Sequence, residues 1–418
     1  MFRIIASTNR RAVAALLDRG PRRDRALERR VARIVREVRA GGDDALLRYA
    51  RQFDGLTGAA EVAAAEMRRA AATVPTPVRR AIQTAARHIR RVAAAQLPQG
   101  RVITPAPGVT IRQRVTPLDR VGCYVPGGRH PLPSSLLMTA IPARVAGVRE
   151  VVVVCPKPDA TVMLAALEAG VSRLFRLGGA HTIAALAYGT KLVPRVDKIV
   201  GPGSAYVAAA KALVAGDCAI DFFAGPSEIV VISTDGPADW IAADLLAQAE
   251  HDPEARAILF TPRPRLAEAV AAEIRRQLPD VGPAPTALAA NGGAIVTRSI
   301  DEAVELCQRM APEHVVCDSE KIATRLTRAG TVFVGPFSAQ AAGDYATGSN
   351  HVLPTSGAAR ARGGLSASDF VRVNSVQTLT RRGLERLAPA IVALAQAEGL
   401  EAHAASIRVR MTPQKSAS

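Results

Sequence analysis

Apolar positions change their period along this chain, and the changes mark its organisation. From Asn9 to about Gln99 they recur at three- and four-residue intervals. Leu27, Val31, Ile34, Val35 and Val38 share one face, and Ile82, Ala85, Ile89 and Val92 share another. That is the period of amphipathic helices. Gly41-Gly42-Asp43-Asp44 is expected to end one helix and cap the next, and Pro75 and Pro77 to interrupt before a helix over 78–95. Over 102–125 the pattern turns to alternation, with Val109, Ile111, Val115, Val121, Cys123 and Val125, which predicts strands bounded by Pro and Gly.

After a helix over 136–146, β-branched runs alternate with alanine-rich helical stretches. Strands are expected over 151–155, 173–177, 196–200, 219–223 and 229–232, and helices over 159–169, 178–187 and 206–214. The rhythm continues with a helix over 239–250, strands over 257–261, 293–296 and 332–334, and helices over 266–277 and 300–310. Strand and helix in strict alternation predict an α/β fold built on buried parallel sheets. After Leu365 the chain reads as an appended segment, with a helix over 383–398 stopped by Gly399. Gly178-Gly179 and Gly201-Pro202-Gly203 each lead from a strand into a helix. Free N–H groups at such helix starts suit a phosphate or a dinucleotide, although no GxGxxG fingerprint is present.

Composition narrows the partners. Lys and Arg number 54 against 37 Asp and Glu, a formal net charge of +17, which draws anionic ligands and raises nucleic acid as a candidate. The arginines are spread through alanine-rich helices and aromatic residues are only 4%, too few for base-stacking platforms. No nucleic-acid partner is expected. Five scattered cysteines without CxxC spacing fit reduced thiols in the cytoplasm, and Cys123 reads as a small buried hydrophobe. No apolar run approaches the ~20 residues of a membrane span, and no secretory h-region follows Met1.

Candidate chemistry lies in four places. Gly343, Gly348 and Pro354 predict a shaped loop over 343–355, carrying Asp344 and His351 toward one cavity. Gln248 and His251 share a face at the end of their helix. His403 opens the final basic helix. Gln248, His251, Asp344 and His403 supply nitrogen and oxygen donors without a thiolate, a set that suits zinc, with manganese or cobalt as substitutes. Spacing alone leaves a metal site and a buried hydrogen-bond network both open. Glu313-His314, held behind Pro312 at a helix-to-strand transition, can present two bases to one cavity. A surface Glu-His pair is the other reading.

Together the motifs resemble the histidinol dehydrogenase family nearly end to end. They are Tyr124-Val-Pro-Gly-Gly128, Gly201-Pro-Gly203 with Tyr206-Val207 and Lys211, Ala224-Gly-Pro-Ser-Glu228, Gln248-Ala-Glu-His-Asp252, Ala311-Pro-Glu-His314, Gly343-Asp-Tyr345, Asn350-His-Val-Leu-Pro-Thr355 and Glu398-Gly-Leu-Glu-Ala-His403. The resemblance implies two incomplete Rossmann-like domains in an intertwined homodimer. It implies an N-terminal arm over 1–20, a catalytic domain over 21–120 and 230–365, an NAD-side domain over 121–229, and a dimer-crossing tail over 366–418. It implies zinc on Gln248, His251, Asp344 and His403, the last supplied by the other subunit, with the same four residues and His314 also facing substrate. His314 would be the general base and Glu313 the residue activating water. Ser227, His351 and Glu398 match further substrate contacts. The implied reaction is the NAD-linked, four-electron oxidation of L-histidinol to L-histidine through bound L-histidinal, the last step of histidine biosynthesis.

Departures from the family pattern gather on the cofactor side. His181 stands where Gln is usual and Ser204 where Asn is usual, both NAD-touching positions, while Tyr124, a third, is retained. Ala361-Arg-Gly363 departs too, where an aromatic and serines are usual. Two alternatives stay open on this ground: a paralogous zinc- and NAD-dependent dehydrogenase of another small amino or hydroxy alcohol such as sulfopropanediol, and a non-catalytic binding homologue.

Overall fold

The computed structural model describes residues 2–18, 24–127, 131–222 and 225–412. Gly128 and Ala224 of the family motifs, and Phe223 at the end of one expected strand, lie outside the described residues. The chain divides into two units, residues 1–96 with 118–370 and residues 97–117 with 371–418.

The first unit holds two parallel sheets. The six-stranded sheet runs in the order Arg3–Ala6, Gly292–Val296, Arg256–Thr261, Glu228–Ile232, His314–Cys317, Thr331–Val334. Every pairing in it is parallel. Beyond their polar first residues its central strands are largely apolar, because helices cover both faces. Ala238–Ala249, Pro264–Gln277 and Ala284–Asn291 pack on one face, and Arg10–Leu17 and Ile300–Met310 on the other. The register sets Glu228 beside Arg256, and His314 beside Ile229 and Thr331. Glu228 and His314 thus open neighbouring strands at the sheet's amino edge.

The five-stranded sheet runs Arg173–Phe175, Glu150–Val154, Arg120–Tyr124, Lys198–Val200, Ala219–Ile220. The helix Arg25–Tyr49 bends at Gly42, where φ is 53 and ψ −132, at the point where a helix break was expected. It packs on Gly179–Tyr188 and Ala205–Val214 beside this sheet. Each Val or Leu sealed in these layers contributes roughly 1.5–3 kcal/mol. The helix continues into a π-turn, Ala50–Asp54, stopped by Gly55 at φ 70. Such turns often sit at functional sites, and this one delivers Asp54 to the carboxyl edge of the sheet.

The second unit is a three-stranded antiparallel sheet, Val371–Leu379 against Val109–Pro117 against Val102–Ala106. It is followed by two helices packed on each other, Arg381–Ala397 and Glu401–Met411. Thr380 caps the first of them by accepting from the Gly383 N–H at 3.1 Å.

Two strands escaped the hydrophobic pattern. Arg3–Ala6 is a short edge strand, and Val371–Leu379 is exposed along nearly all its length, so neither writes a buried period. The segment beginning at Gly343 also differs from the loop expected there. Its first residues close a short helix, Gln340–Tyr345, because the preceding alanines favour helix over turn. Asp344 is therefore helical, and the loop proper starts after it.

Candidate active site

The acid–base pair is assembled at the amino edge of the six-stranded sheet, where the first residues of parallel strands carry backbone groups still to be satisfied. Ala311 ends the helix Ile300–Met310 in the left-handed region at φ 50. Two residues later Glu313 and His314 meet the strand that starts at Glu228. The Glu228 N–H donates to Glu313 Oε2 at 2.9 Å, and the Ser227 hydroxyl bonds the same carboxyl group. His314 Nδ1 lies 3.3 Å from the Glu228 carbonyl. A carbonyl only accepts, so Nδ1 carries the hydrogen and Nε2 is left as the basic nitrogen. That nitrogen faces Asp344 Oδ1 at 3.9 Å.

Glu313 is 6% exposed and His314 4%. Burial pushes the Glu313 carboxyl well above its usual range, and the Glu228 and Asp344 carboxylates push it further against the Glu228 N–H and Ser227. Burial also lowers the His314 imidazole to about 4, opposed by Asp344 and the Glu228 carbonyl. The pair is not a surface pair. Glu228 itself is held at about 7, by burial first, against the pull of Arg256.

Asp344 belongs to a second layer of the site. Its Oδ2 accepts from Gln340 Nε2 at 2.5 Å, and its carbonyl accepts from His351 Nδ1 at 2.9 Å. His351 Nε2 lies 3.4 Å from Ser135 Oγ. The helix carrying Asp344 packs against Ala238–Ala249, whose last turn carries Gln248, with exposed His251 just beyond. The charges of His251 and Asp344 act on both His314 and His351. Gln248, His251, Asp344, Glu313, His314, Ser227 and His351 are therefore brought together in the first unit. Glu398 and His403 lie in the second unit, both exposed, at the end of one helix and the start of the next.

Within one chain, no three or more His, Cys, Asp or Glu side chains among the described residues are grouped to hold a metal. The first unit instead offers one imidazole, one carboxylate and an amide. Gln248 is 1% exposed and its Oε1 is without a partner among the described residues. A buried acceptor left unmet costs about 1–3 kcal/mol. An oxygen in that state, on the helix end that precedes His251 and that packs against the helix carrying Asp344, fits a zinc ligand set lacking one donor.

The loop after Asp344 is pinned from the five-stranded side. Asn350 Nδ2 donates to the Met138 carbonyl at 2.6 Å, and the Val352 N–H donates to Asn350 Oδ1 at 2.9 Å. His88 Nδ1 donates to the Ala346 carbonyl at 2.6 Å. Gly348, at φ 91, lies so close that a Cβ there would be 2.6 Å from the His88 backbone.

At the carboxyl edge of the five-stranded sheet two glycine turns face each other across Tyr124. Gly178 N–H donates to Asp54 Oδ2 at 2.9 Å, and Gly179 N–H to the Tyr124 hydroxyl at 3.1 Å. His181, 1% exposed, puts Nε2 on the same Asp54 oxygen at 2.9 Å. The second turn repeats the device: Gly201 N–H donates to Asp221 Oδ2 at 2.7 Å, and Lys211 bridges Asp221 and the Gly201 carbonyl. Ser204 heads the helix Ala205–Val214 and is exposed. Burial raises the Tyr124 phenol to about 12, so it keeps its hydrogen at neutral pH.

Sequence reasoning did not single out Glu228, Gln340, Asp54 or Asp221. Glu228 ends the motif Ala224-Gly-Pro-Ser-Glu228, and that position was the available signal. The aspartates reach their glycines across long gaps in sequence and left none. All five cysteines are free and buried, and burial pushes Cys123 up to about 12, which agrees with its reading as an inert hydrophobe. Among the described residues no helix is long and apolar enough to cross a membrane.

An acid–base pair sealed at one sheet edge and strand–glycine–helix turns at another are the layout of an α/β dehydrogenase. Residues 17–411 match the family model described as histidinol dehydrogenase. The chain is 46% identical over 413 residues to a histidinol dehydrogenase of Geobacter sulfurreducens, covering 95% of this chain and 96% of that protein. It is 45% identical over 403 residues to one of Gluconobacter oxydans, covering 93% and 94%. The crystal structure of a histidinol dehydrogenase from Elizabethkingia anophelis superposes with a TM-score of 0.92 over 98% of both chains at 32% identity. The chain belongs to the histidinol dehydrogenase family and is an oxidoreductase of that type.

Proposed function

We propose that this protein oxidises L-histidinol to L-histidine through bound L-histidinal, with NAD as acceptor and one zinc ion per site. The observation that carries the reading is the sealed pair Glu313-His314, with His314 Nδ1 committed to the Glu228 carbonyl at 3.3 Å. Gln248, His251 and Asp344 would hold zinc together with the partner subunit's His403. When bound, zinc supplies a charge that orients the substrate's amine and imidazole, and NAD supplies the hydride acceptor.

The protein's own groups do the rest. His314 Nε2 takes the hydroxyl proton, which it can do because burial keeps the ring uncharged at neutral pH. Glu313, in the ionised form that the Glu228 N–H and Ser227 favour against burial, takes a proton from the water that adds to the aldehyde. Ser227 and the Glu228 N–H fix that carboxyl in place. Burial keeps bulk water from the aldehyde between the two oxidations. His351 and Ser227 line the substrate's side, and Glu398, exposed in the second unit, would pair with the substrate imidazole. Tyr124, His181 and Ser204 would contact NAD.

A homodimer sharing the site is part of the reading. Support comes from apolar side chains standing uncovered in the second unit, among them Val102 at 62%, Leu394 at 65% and Val409 at 67% exposure. The test is rescue of a histidine auxotroph lacking this step. Growth with the natural sequence and none with His314→Asn is expected. No growth from well-expressed, folded, metal-loaded protein would move the reading to another small alcohol.

A further inference from the structure

We infer that Asp54 is a positioning residue for the cofactor, acting through His181 to turn the Gly178-Gly179 strand–helix junction into a receptor for a ribose hydroxyl instead of a phosphate. The inference rests on the proposed use of NAD. A glycine turn that binds phosphate must offer free N–H groups. Here both are spent inside the protein, Gly178 on Asp54 and Gly179 on Tyr124. The anion already at this turn is the chain's own carboxylate.

What the turn still offers is different in kind. An ionised carboxylate only accepts, so His181 Nε2 carries the hydrogen that reaches Asp54 at 2.9 Å. The other ring nitrogen, Nδ1, is buried and without a partner among the described residues. It lies at the start of the helix Gly179–Tyr188, against Gly179, where a Cβ would come within 3.2 Å of it. Gly179, at φ 64, carries no side chain to cover it. Tyr124 accepts from Gly179, and its own phenolic hydrogen has no acceptor among the described residues. One unmet acceptor and one unmet donor at the same turn match a hydroxyl, which donates to the first and accepts from the second. A pyrophosphate has no hydrogen to give to Nδ1. Of a dinucleotide's parts, the ribose hydroxyls fit.

Asp54 touches neither of the open groups. It sets the ring's tautomer and holds Gly178, while Tyr49 and Phe53 flank the ring with centroids 6.0 and 6.2 Å away. The test is calorimetric binding of NAD to the full-length, zinc-loaded protein without alcohol. Asp54→Ala and His181→Phe should each weaken NAD about tenfold, and Asp54→Asn, whose amide oxygen still accepts both hydrogens, by less than about threefold. In turnover the change should fall on KM for NAD and not on kcat, which a merely structural defect would not do. An NAD analogue lacking the ribose hydroxyls should bind the natural protein about as weakly as NAD binds His181→Phe, while inorganic pyrophosphate should bind both proteins alike. If Asp54→Ala does not fold, His181→Phe decides alone. NAD affinity within about twofold of the natural protein in the folded variants would overturn the inference, as would pyrophosphate affinity that falls with His181 or no NAD binding at all. Normal NAD binding with the expected losses, but no oxidation of histidinol, would leave the inference standing and remove the substrate reading.

Discussion

The six-stranded sheet places its chemistry at the amino ends of its strands, and the five-stranded sheet at the carboxyl ends. At the amino edge, Glu228 spends its N–H on Glu313 and its carbonyl on His314. Backbone of one strand thereby fixes both members of the acid–base pair, and deep burial moves both far from their ordinary titration. At the carboxyl edge the backbone is met by side chains instead. Asp54 and Asp221 each bind the first N–H of a glycine turn, and each has a nitrogen partner, His181 or Lys211. On the proposed function, one edge would serve proton transfer and the other would hold a ligand still. Perturbed titration belongs where protons move.

The largest effect that could break this division is kinetic. Glu313→Gln and His314→Asn should each lower kcat by about a thousandfold while leaving NAD affinity unchanged, measured by turnover at saturating substrates and by calorimetry. Equal loss of NAD binding would mean that the two edges are not separate devices.

Next comes Glu228. Its carboxyl is raised from 4.5 to about 7, so the folded protein holds this proton more tightly than the unfolded chain. Its contribution to stability is therefore full below 4.5 and falls as pH rises through about 7. That loss should amount to roughly 3 kcal/mol. Urea unfolding at several pH values should show it in the natural protein and not in Glu228→Gln. Parallel slopes would contradict a Glu228 carboxyl raised by burial at the amino edge.

A smaller effect concerns the loop that ties the site to the other sheet's helices. Asn350→Ala removes the bond to the Met138 carbonyl and strands a buried acceptor, and should cost about 1–3 kcal/mol in urea unfolding. Smaller again, Gln248→Ala should weaken zinc retention about tenfold in chelator competition. A zinc content indifferent to Gln248 would leave its buried Oε1 to a hydrogen-bond network, the other reading open from spacing.

The amino edge was far more legible in the sequence than the carboxyl edge. Pro312, Glu313 and His314 are consecutive, and Gln248 and His251 are three residues apart, so local spacing already grouped them. The βαβ rhythm likewise wrote itself in continuous apolar strands. His181 and Ser204 stood out only as departures from a family pattern. Why His181 is tolerated was not readable, because its partner Asp54 is distant in sequence and ends a π-turn that no period announces. Exposed Val371–Leu379 hid for a related reason: its pairing with Val109–Pro117 is non-local, and both of its faces stay largely open in the chain. Local chemistry shows in a sequence; contacts closed by the fold do not.

The most direct test of the proposed reaction is the stoichiometry of NADH formed from L-histidinol by protein stripped of metal and then reloaded with zinc. Two NADH should form for each histidinol consumed, with no free aldehyde and no turnover before zinc is restored. A single NADH with aldehyde released, or full activity without metal, would contradict it.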